Sequence, residues 1–324
     1  MEVSQEMSML EESRIGEFDT RLRALVNVSV PSVDMDPRVE SEERLEGLTR
    51  TLVRYNVGPG ERIGAYLLVP DGATAKTPGI LAIHQHGGEF SIGKSEPAGL
   101  SADATFHYGL DLCRRGYVVL CPDLLAFEER TPPEWKRVEG TAPDGYWYER
   151  FEAMGLFLEG SSLQAKYLAD LVKGLDYLTS LDIVDSNRIG AIGHSLGGQE
   201  ALWLSWFDER IKACVSSCGF ALIRAIIRDL INHNMALYVP GFLKLGDVDL
   251  LASCIAPRAL FFSAGAQDLI FPVDSVREIA ALLRDLYTRH GCPDRMEYAE
   301  FEGAHSLPDT VKQRAYAFLD QHLR

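Results

Sequence analysis

The chain has 324 residues, 46% hydrophobic and 24% charged, which suits a globular protein long enough for one large α/β domain with insertions or two small ones. A formal net charge of −15 excludes the basic field that nucleic acid or an anionic membrane surface requires, and no run approaches the roughly 18 apolar residues of a membrane span. The acidic first residues lack a signal-peptide core and the six cysteines form no C-x-x-C pair, so the expectation is a cytoplasmic protein with reduced, mostly buried thiols.

Residues 1–47 read as a charged, helical N-terminal extension with no chemistry of its own. Leu10, Ile15, Phe18, Leu22 and Leu25 stand near helical spacing, and Pro31 and Pro37 end the pattern. The domain proper is expected over 48–324. Residues 48–70 alternate apolar and polar about Gly58-Pro59-Gly60, as two antiparallel edge strands joined by a turn would. A buried strand over 79–86 runs into Gly87-Gly88, followed by a helix over 102–115 and a strand over 117–125. The segment 126–160 breaks this rhythm with prolines and aromatic rings and is read as an insertion.

A helix over 161–180 leads into a strand ending near residue 194. After the next helix come a strand over 211–217, a second insertion over 219–256, strands over 258–264 and 296–301, and helices over 274–290 and 309–323. Strands alternating with helices after an antiparallel start predict an α/β architecture, a mostly parallel central sheet flanked by helices on both faces. Sites on such sheets gather beyond the carboxyl ends of the strands, so the strand-end residues are the ones to inspect.

Gly193-His194-Ser195-Leu196-Gly197 matches G-x-S-x-G at a strand-to-helix junction. The small flanking residues let strand and helix approach, Ser195 stands clear as a nucleophile, and the Leu196 N–H points toward a developing oxyanion. Two further strand ends supply Asp268 and His305. Ser195, Asp268 and His305 follow one another in the order nucleophile, acid, histidine. His305 would serve as general base and Asp268 would orient it, with Glu302 as a rival acid. The loop 84–88 would supply a second oxyanion donor, placed at the Gly88 N–H, while His86 braces the loop and Asp123 is structural.

These segments, IHQHGGEFSIGK, GYVVLCPDLLAFEER, NRIGAIGHSLGG, APRALFFSAGAQDLIFP and FEGAHSLP, resemble the α/β-hydrolase superfamily, within it the dienelactone hydrolase and acetyl xylan esterase-like branch. The resemblance spans about residues 62–324. It implies a serine-dependent hydrolase of a carboxylic ester or lactone, acting through an acyl-enzyme and needing no cofactor or metal. Dienelactone hydrolases proper carry a cysteine nucleophile where this chain has Ser195, which favours an esterase. An acyl-peptide or amide hydrolase on the same three residues is the alternative. His86, Phe127, Trp135 and Trp147 are candidate pocket residues, and the partner expected is a small-molecule ester or lactone, with neither nucleic acid nor membrane; a homodimer is left open.

Two other classes compete. Gly88-Glu89-Phe90-Ser91-Ile92-Gly93-Lys94-Ser95 satisfies the P-loop pattern G-x-x-x-x-G-K-[ST] after a buried strand, which would make a nucleotide hydrolase. Glu96-Pro97-Ala98-Gly99 then follows in place of a helix, which argues against it. His84-x-His86 puts two imidazoles on one face of a strand, a fragment of a metal site without evident further ligands.

Overall fold

The apolar runs of the sequence become the central strands of one sheet. In the computed structural model, which describes residues 2–132 and 145–324 and side chains from residue 10 onward, the chain begins with α1 (Glu2–Val26). There follow β1 (Arg38–Leu45), β2 (Leu48–Gly58), β3 (Glu61–Pro70), β4 (Thr77–Ile83), α2 (Tyr108–Arg114) and β5 (Val118–Pro122). The middle holds α3 (Gly145–Leu158), α4 (Leu163–Ser180), β6 (Val184–His194), α5 (Leu196–Phe207) and β7 (Ile211–Ser217). The last third comprises α6 (Ile223–Arg228), α7 (Val248–Ser253), β8 (Ala259–Gly265), α8 (Val273–Arg289), β9 (Met296–Phe301) and α9 (Asp309–Leu323).

The strand order is β1-β2-β3-β5-β4-β6-β7-β8-β9. β1, β2, β3 and β5 pair antiparallel in succession, and every pair from β5 across to β9 is parallel. Both faces are covered. One carries α4, α5, α7 and α8, packed through residues such as Leu168, Leu171, Leu202 and Leu283; the other carries α2 and α9 through Leu112, Tyr316 and Leu319. The alternation of β2 and β3, buried on one face and partly exposed on the other, gives way to fully buried β5 and β8, as expected where helices cover both sides.

Two expectations need correction. Residues 38–45 are strand, paired through Leu45 with Leu48 of β2, so the boundary drawn at residue 47 falls inside a hairpin. Arg-Val-Glu-Ser-Glu-Glu-Arg-Leu shows no apolar alternation because the strand is exposed along nearly its whole length, and its charges keep the sheet edge from recruiting another strand. The helix expected over 102–115 is shorter and broken: a single 3₁₀ turn (Ala104–Phe106), capped by Asp103 Oδ1 on the Thr105 N–H at 2.9 Å, precedes α2. The N-terminal helix does pack as expected. Phe18, Leu22 and Val26 are buried, and the Trp206 indole of α5 donates to Asp19 Oδ1 at 2.7 Å.

β4 lies between β5 and β6, so the chain reverses its direction of travel across the sheet between β4 and β6. The crevice beyond the carboxyl ends of those two strands is the place where such sheets bind ligands. No described helix is long and apolar enough to cross a membrane, and all six cysteines are unpaired.

Candidate active site

The turn from β6 into α5 holds Ser195 at φ 55°, ψ −122°, a conformation costly for a residue with a side chain. Its backbone N–H is tied to the Ser217 carbonyl at 2.8 Å. The flanking glycines are demanded by contact. A Cβ on Gly193 would lie 2.2 Å from the backbone of Gly197, and one on Gly197 would lie 2.0 Å from the Ile83 carbonyl oxygen of β4. The G-x-S-x-G pattern is thus the sterics of a helix start pressed between two strands.

Asp268 and His305 meet across the ends of β8 and β9. His305 Nδ1 and Asp268 Oδ2 are 2.8 Å apart, which leaves Nε2 as the unprotonated nitrogen of a neutral ring. That nitrogen has no hydrogen-bond partner, and His305 and Ser195 line the same cavity. Asp268 Oδ1 accepts from the N–H groups of Ile270 (2.9 Å) and Phe271 (3.1 Å). Burial raises the Asp268 carboxyl, but the imidazole and these two N–H groups outweigh it and hold the group below its ordinary value. Glu302 stands apart, accepting from the Gln267 amide at 2.8 Å.

Beside the elbow runs the loop after β4. His84 is fully buried, with Nδ1 2.8 Å from the Gln85 carbonyl and Nε2 accepting from the Leu124 N–H at 3.1 Å. Both ring nitrogens are engaged, and burial pushes its pKa down to about 4, so it braces two strand ends as a neutral ring. His86 also braces: its Nδ1 accepts from the Gly88 N–H at 3.1 Å. The donor expected to serve an oxyanion is therefore held by a neighbouring imidazole. Leu196 opens α5, where first-turn N–H groups have no intrahelical acceptor.

The P-loop pattern has its own explanation. No helix begins at Gly93–Ser95, and the N–H groups of Gly93 (2.8 Å) and Ser95 (2.9 Å) both donate to Glu128 Oε1. Lys94 is 2% exposed, its ammonium contacting Asp123 (3.1 Å), Glu129 (2.5 Å) and Glu128. The anion a nucleotide would bring is already supplied from within the chain. The two-histidine metal fragment likewise dissolves, because neither nitrogen of His84 has a lone pair to spare.

The cavity holds ≈ 290 Å³ and is walled by Gln85, His86, Gly87, Gly88, Tyr146, Glu149, Arg150, Asn232, His233, Asn234 and Ile270 beside Ser195 and His305. Of the candidate pocket residues, only His86 is on this wall. Phe127 is fully buried, stacked on Phe90 at 4.8 Å and edge-on to His84 and His86, so it packs the loops. Trp147 is 42% exposed and meets the lining residue Tyr146 edge-on at 5.2 Å without itself lining the cavity. Trp135 lies outside the described residues. Glu149, His233 and Asn234 went unforeseen. They come from the two insertions, 126–160 and 219–256, and no local spacing announces that α3 and the segment before residue 237 share a wall.

The comparisons fit this geometry. The family model of the dienelactone hydrolase family matches residues 63–291. A Bacillus subtilis (strain 168) protein named "Putative hydrolase YtaP" is 30% identical over 285 residues, covering 87% of this chain and 90% of its own. Among solved structures, a glucuronoyl esterase from Solibacter usitatus superposes with a TM-score of 0.67 at 16% identity, covering 94% of this chain and 92% of its own. An acetyl xylan esterase from Paenibacillus sp. R4 superposes at 0.63 with 18% identity, covering 94% and 93%. At such identities these two structures speak for the fold, the α/β-hydrolase fold. From the matched family model and the B. subtilis relative, the chain is a hydrolase and belongs to the dienelactone hydrolase family.

Proposed function

We propose that the protein is a serine esterase that cleaves a carboxylic ester or lactone through an acyl-enzyme. The carrying observation is one cavity faced by a serine on a strained elbow and by an imidazole whose Nε2 is free while Nδ1 is held by a buried aspartate. His305 Nε2 takes the Ser195 proton as Oγ attacks the carbonyl carbon, and the same proton passes to the leaving alkoxide as the ester C–O bond breaks. Asp268 fixes the tautomer and stabilises the imidazolium. Water, deprotonated by His305, then hydrolyses the acyl-serine.

The tetrahedral oxyanion is met by the Leu196 N–H at the start of α5. The Gly88 N–H is the second donor, exchanging the neutral acceptor His86 Nδ1 for an anionic one, a stronger hydrogen bond. An ester of an acid in the dienelactone style and an acetyl ester both fit this chemistry; the serine nucleophile supports the latter kind.

Acid-quenching a reaction with p-nitrophenyl acetate and weighing the intact protein tests the mechanism. One acetyl group is expected on the Ser195 peptide, and none in Ser195→Ala. Full ester turnover by Ser195→Ala would remove the proposal.

A further inference from the structure

Beside Ser195 and His305, the cavity is lined by residues with buried polar atoms that make no hydrogen bond within the protein. Glu149, on the first turns of α3, is 0% exposed, yet it lines the cavity. Its Oε1 accepts from the Met235 N–H at 3.4 Å and faces His86 Nε2 at 3.4 Å. Its Oε2 has no hydrogen bond, with the Arg150 guanidinium at 3.6 Å. A buried carboxylate oxygen without a donor is costly, of the order of 1–3 kcal/mol or more. Such an atom facing a cavity marks a place where something else completes the bond.

His233 supplies the complementary half. Its Nδ1 is 3.1 Å from the Asn234 amide nitrogen, and Asn234 Oδ1 accepts from the Leu237 N–H at 3.1 Å, so the amide donates and the ring proton sits on Nε2. That Nε2–H makes no well-formed hydrogen bond, its backbone contact being a weak one to Ile270. The ring packs edge-on against Phe271 at 4.6 Å, and Phe271 stacks on His305 at 5.6 Å, so the wall is one ring removed from the catalytic imidazole. An acceptor and a donor without hydrogen bonds therefore belong to residues lining the same cavity, as do His86 Nε2 and His305 Nε2.

From this pairing we infer that Glu149 and His233 select an ester that carries a neutral hydroxyl near its scissile bond, the hydroxyl donating to Glu149 Oε2 and accepting from His233 Nε2–H. An ammonium has no lone pair for His233 and would sit beside the Arg150 guanidinium. A carboxylate has no proton for Glu149. A purely aliphatic group would bury both atoms unpaired, and a site built this way discriminates strongly against it. The inference rests on the esterase reading and adds the substrate class, a hydroxylated ester.

Two pairs that differ only by two hydroxyl groups test it on the full-length protein: glycerol 1-acetate against n-propyl acetate, and ethyl 2,3-dihydroxypropanoate against ethyl propanoate. The wild type is expected to favour the hydroxylated member of at least one pair by about 10- to 100-fold in kcat/KM, the range of a hydrogen bond to a charged group. Glu149→Leu should compress that ratio to roughly 3-fold or less, and Glu149→Gln, which keeps the shape, should lower it by less. The ratio within each variant cancels any general loss of activity.

An aliphatic preference in both pairs by the wild type, or a ratio that survives in a folded Glu149→Leu, would overturn the inference. The wild-type measurement decides even if Glu149→Leu fails to fold. Ser195-dependent turnover of p-nitrophenyl acetate without a hydroxyl preference would sink only this step; no Ser195-dependent turnover of any ester would sink the esterase reading beneath it.

Discussion

Two groups of buried charge sit close together in this molecule and are built on opposite principles. Around Lys94 everything is paired: one ammonium meets Asp123, Glu128 and Glu129, and two loop N–H groups hold the Glu128 carboxylate. Around Glu149 the pairing is left incomplete, with Glu149 Oε2, His86 Nε2, His233 Nε2 and His305 Nε2 making no hydrogen bond at the cavity lining. The first group clamps the loop after β4 to the loop after β5. The second lines the cavity shared with Ser195 and His305. The closed group works as scaffold, and the open one leaves polar atoms without hydrogen bonds at the cavity.

The Asp268–His305 pair joins both principles, closed on one side and open on the other, and breaking it should have the largest effect. Asp268→Asn is expected to lower kcat by about 10⁴-fold, because the amide favours the wrong imidazole tautomer. Glu302→Gln should stay within about 2-fold, its carboxylate being occupied with Gln267. Steady-state kinetics on p-nitrophenyl acetate read both; a harmless Asp268→Asn with a disabling Glu302→Gln would reassign the acid.

Lys94→Met attacks the closed group. Removing the cation leaves the buried Asp123 carboxylate without its ion-pair partner, and breaking a buried pair in this way costs about 3–5 kcal/mol. The urea midpoint should fall accordingly. A midpoint equal to wild type would mean that the cluster contributes nothing and that the contrast with Glu149 is empty.

A smaller effect sharpens the contrast at Glu200, fully buried beneath the cavity. Burial pushes its carboxyl up to about 8, against which the amides of Gln164 (2.6 Å) and Gln199 (3.2 Å) work only in part. The sign follows from linkage. Between the unfolded carboxyl value of about 4.3 and the folded value of about 8 the native state binds the extra proton, so wild-type stability declines as pH rises through that window. Glu96, pushed up to about 7 by burial, acts in the same direction. Glu200→Gln should therefore give a shallower decline between about pH 5 and 8 without abolishing it. Superposable pH profiles would show that Glu200 is not protonated on folding.

The parts legible in the sequence are those whose constraint is local. Gly193 and Gly197 announce the elbow because their hydrogens are all that fits between β6, α5 and β4. Asp268 and His305 could be found because each follows a strand, β8 buried and β9 at the sheet edge, and parallel strands bring their carboxyl ends to one edge of the sheet. Glu149 and His233 could not, since their meeting depends on how two irregular insertions fold over that edge. Phe127 misled because an aromatic ring in an insertion looks the same in sequence whether it packs or lines. Gly88 to Ser95 matched a nucleotide-binding pattern that the residues after it already argued against. The loop does hold an anion as its pattern promises, but the anion is Glu128, thirty-three residues on from Ser95.

Labelling with a fluorophosphonate, read by intact mass and peptide mapping on wild type and Ser195→Ala, tests the central claim most directly. One adduct per wild-type chain, located on Ser195 and absent from the variant, is the predicted result. A wild-type chain that takes no label, or one labelled equally after Ser195→Ala, would contradict the assignment of Ser195 as the activated nucleophile.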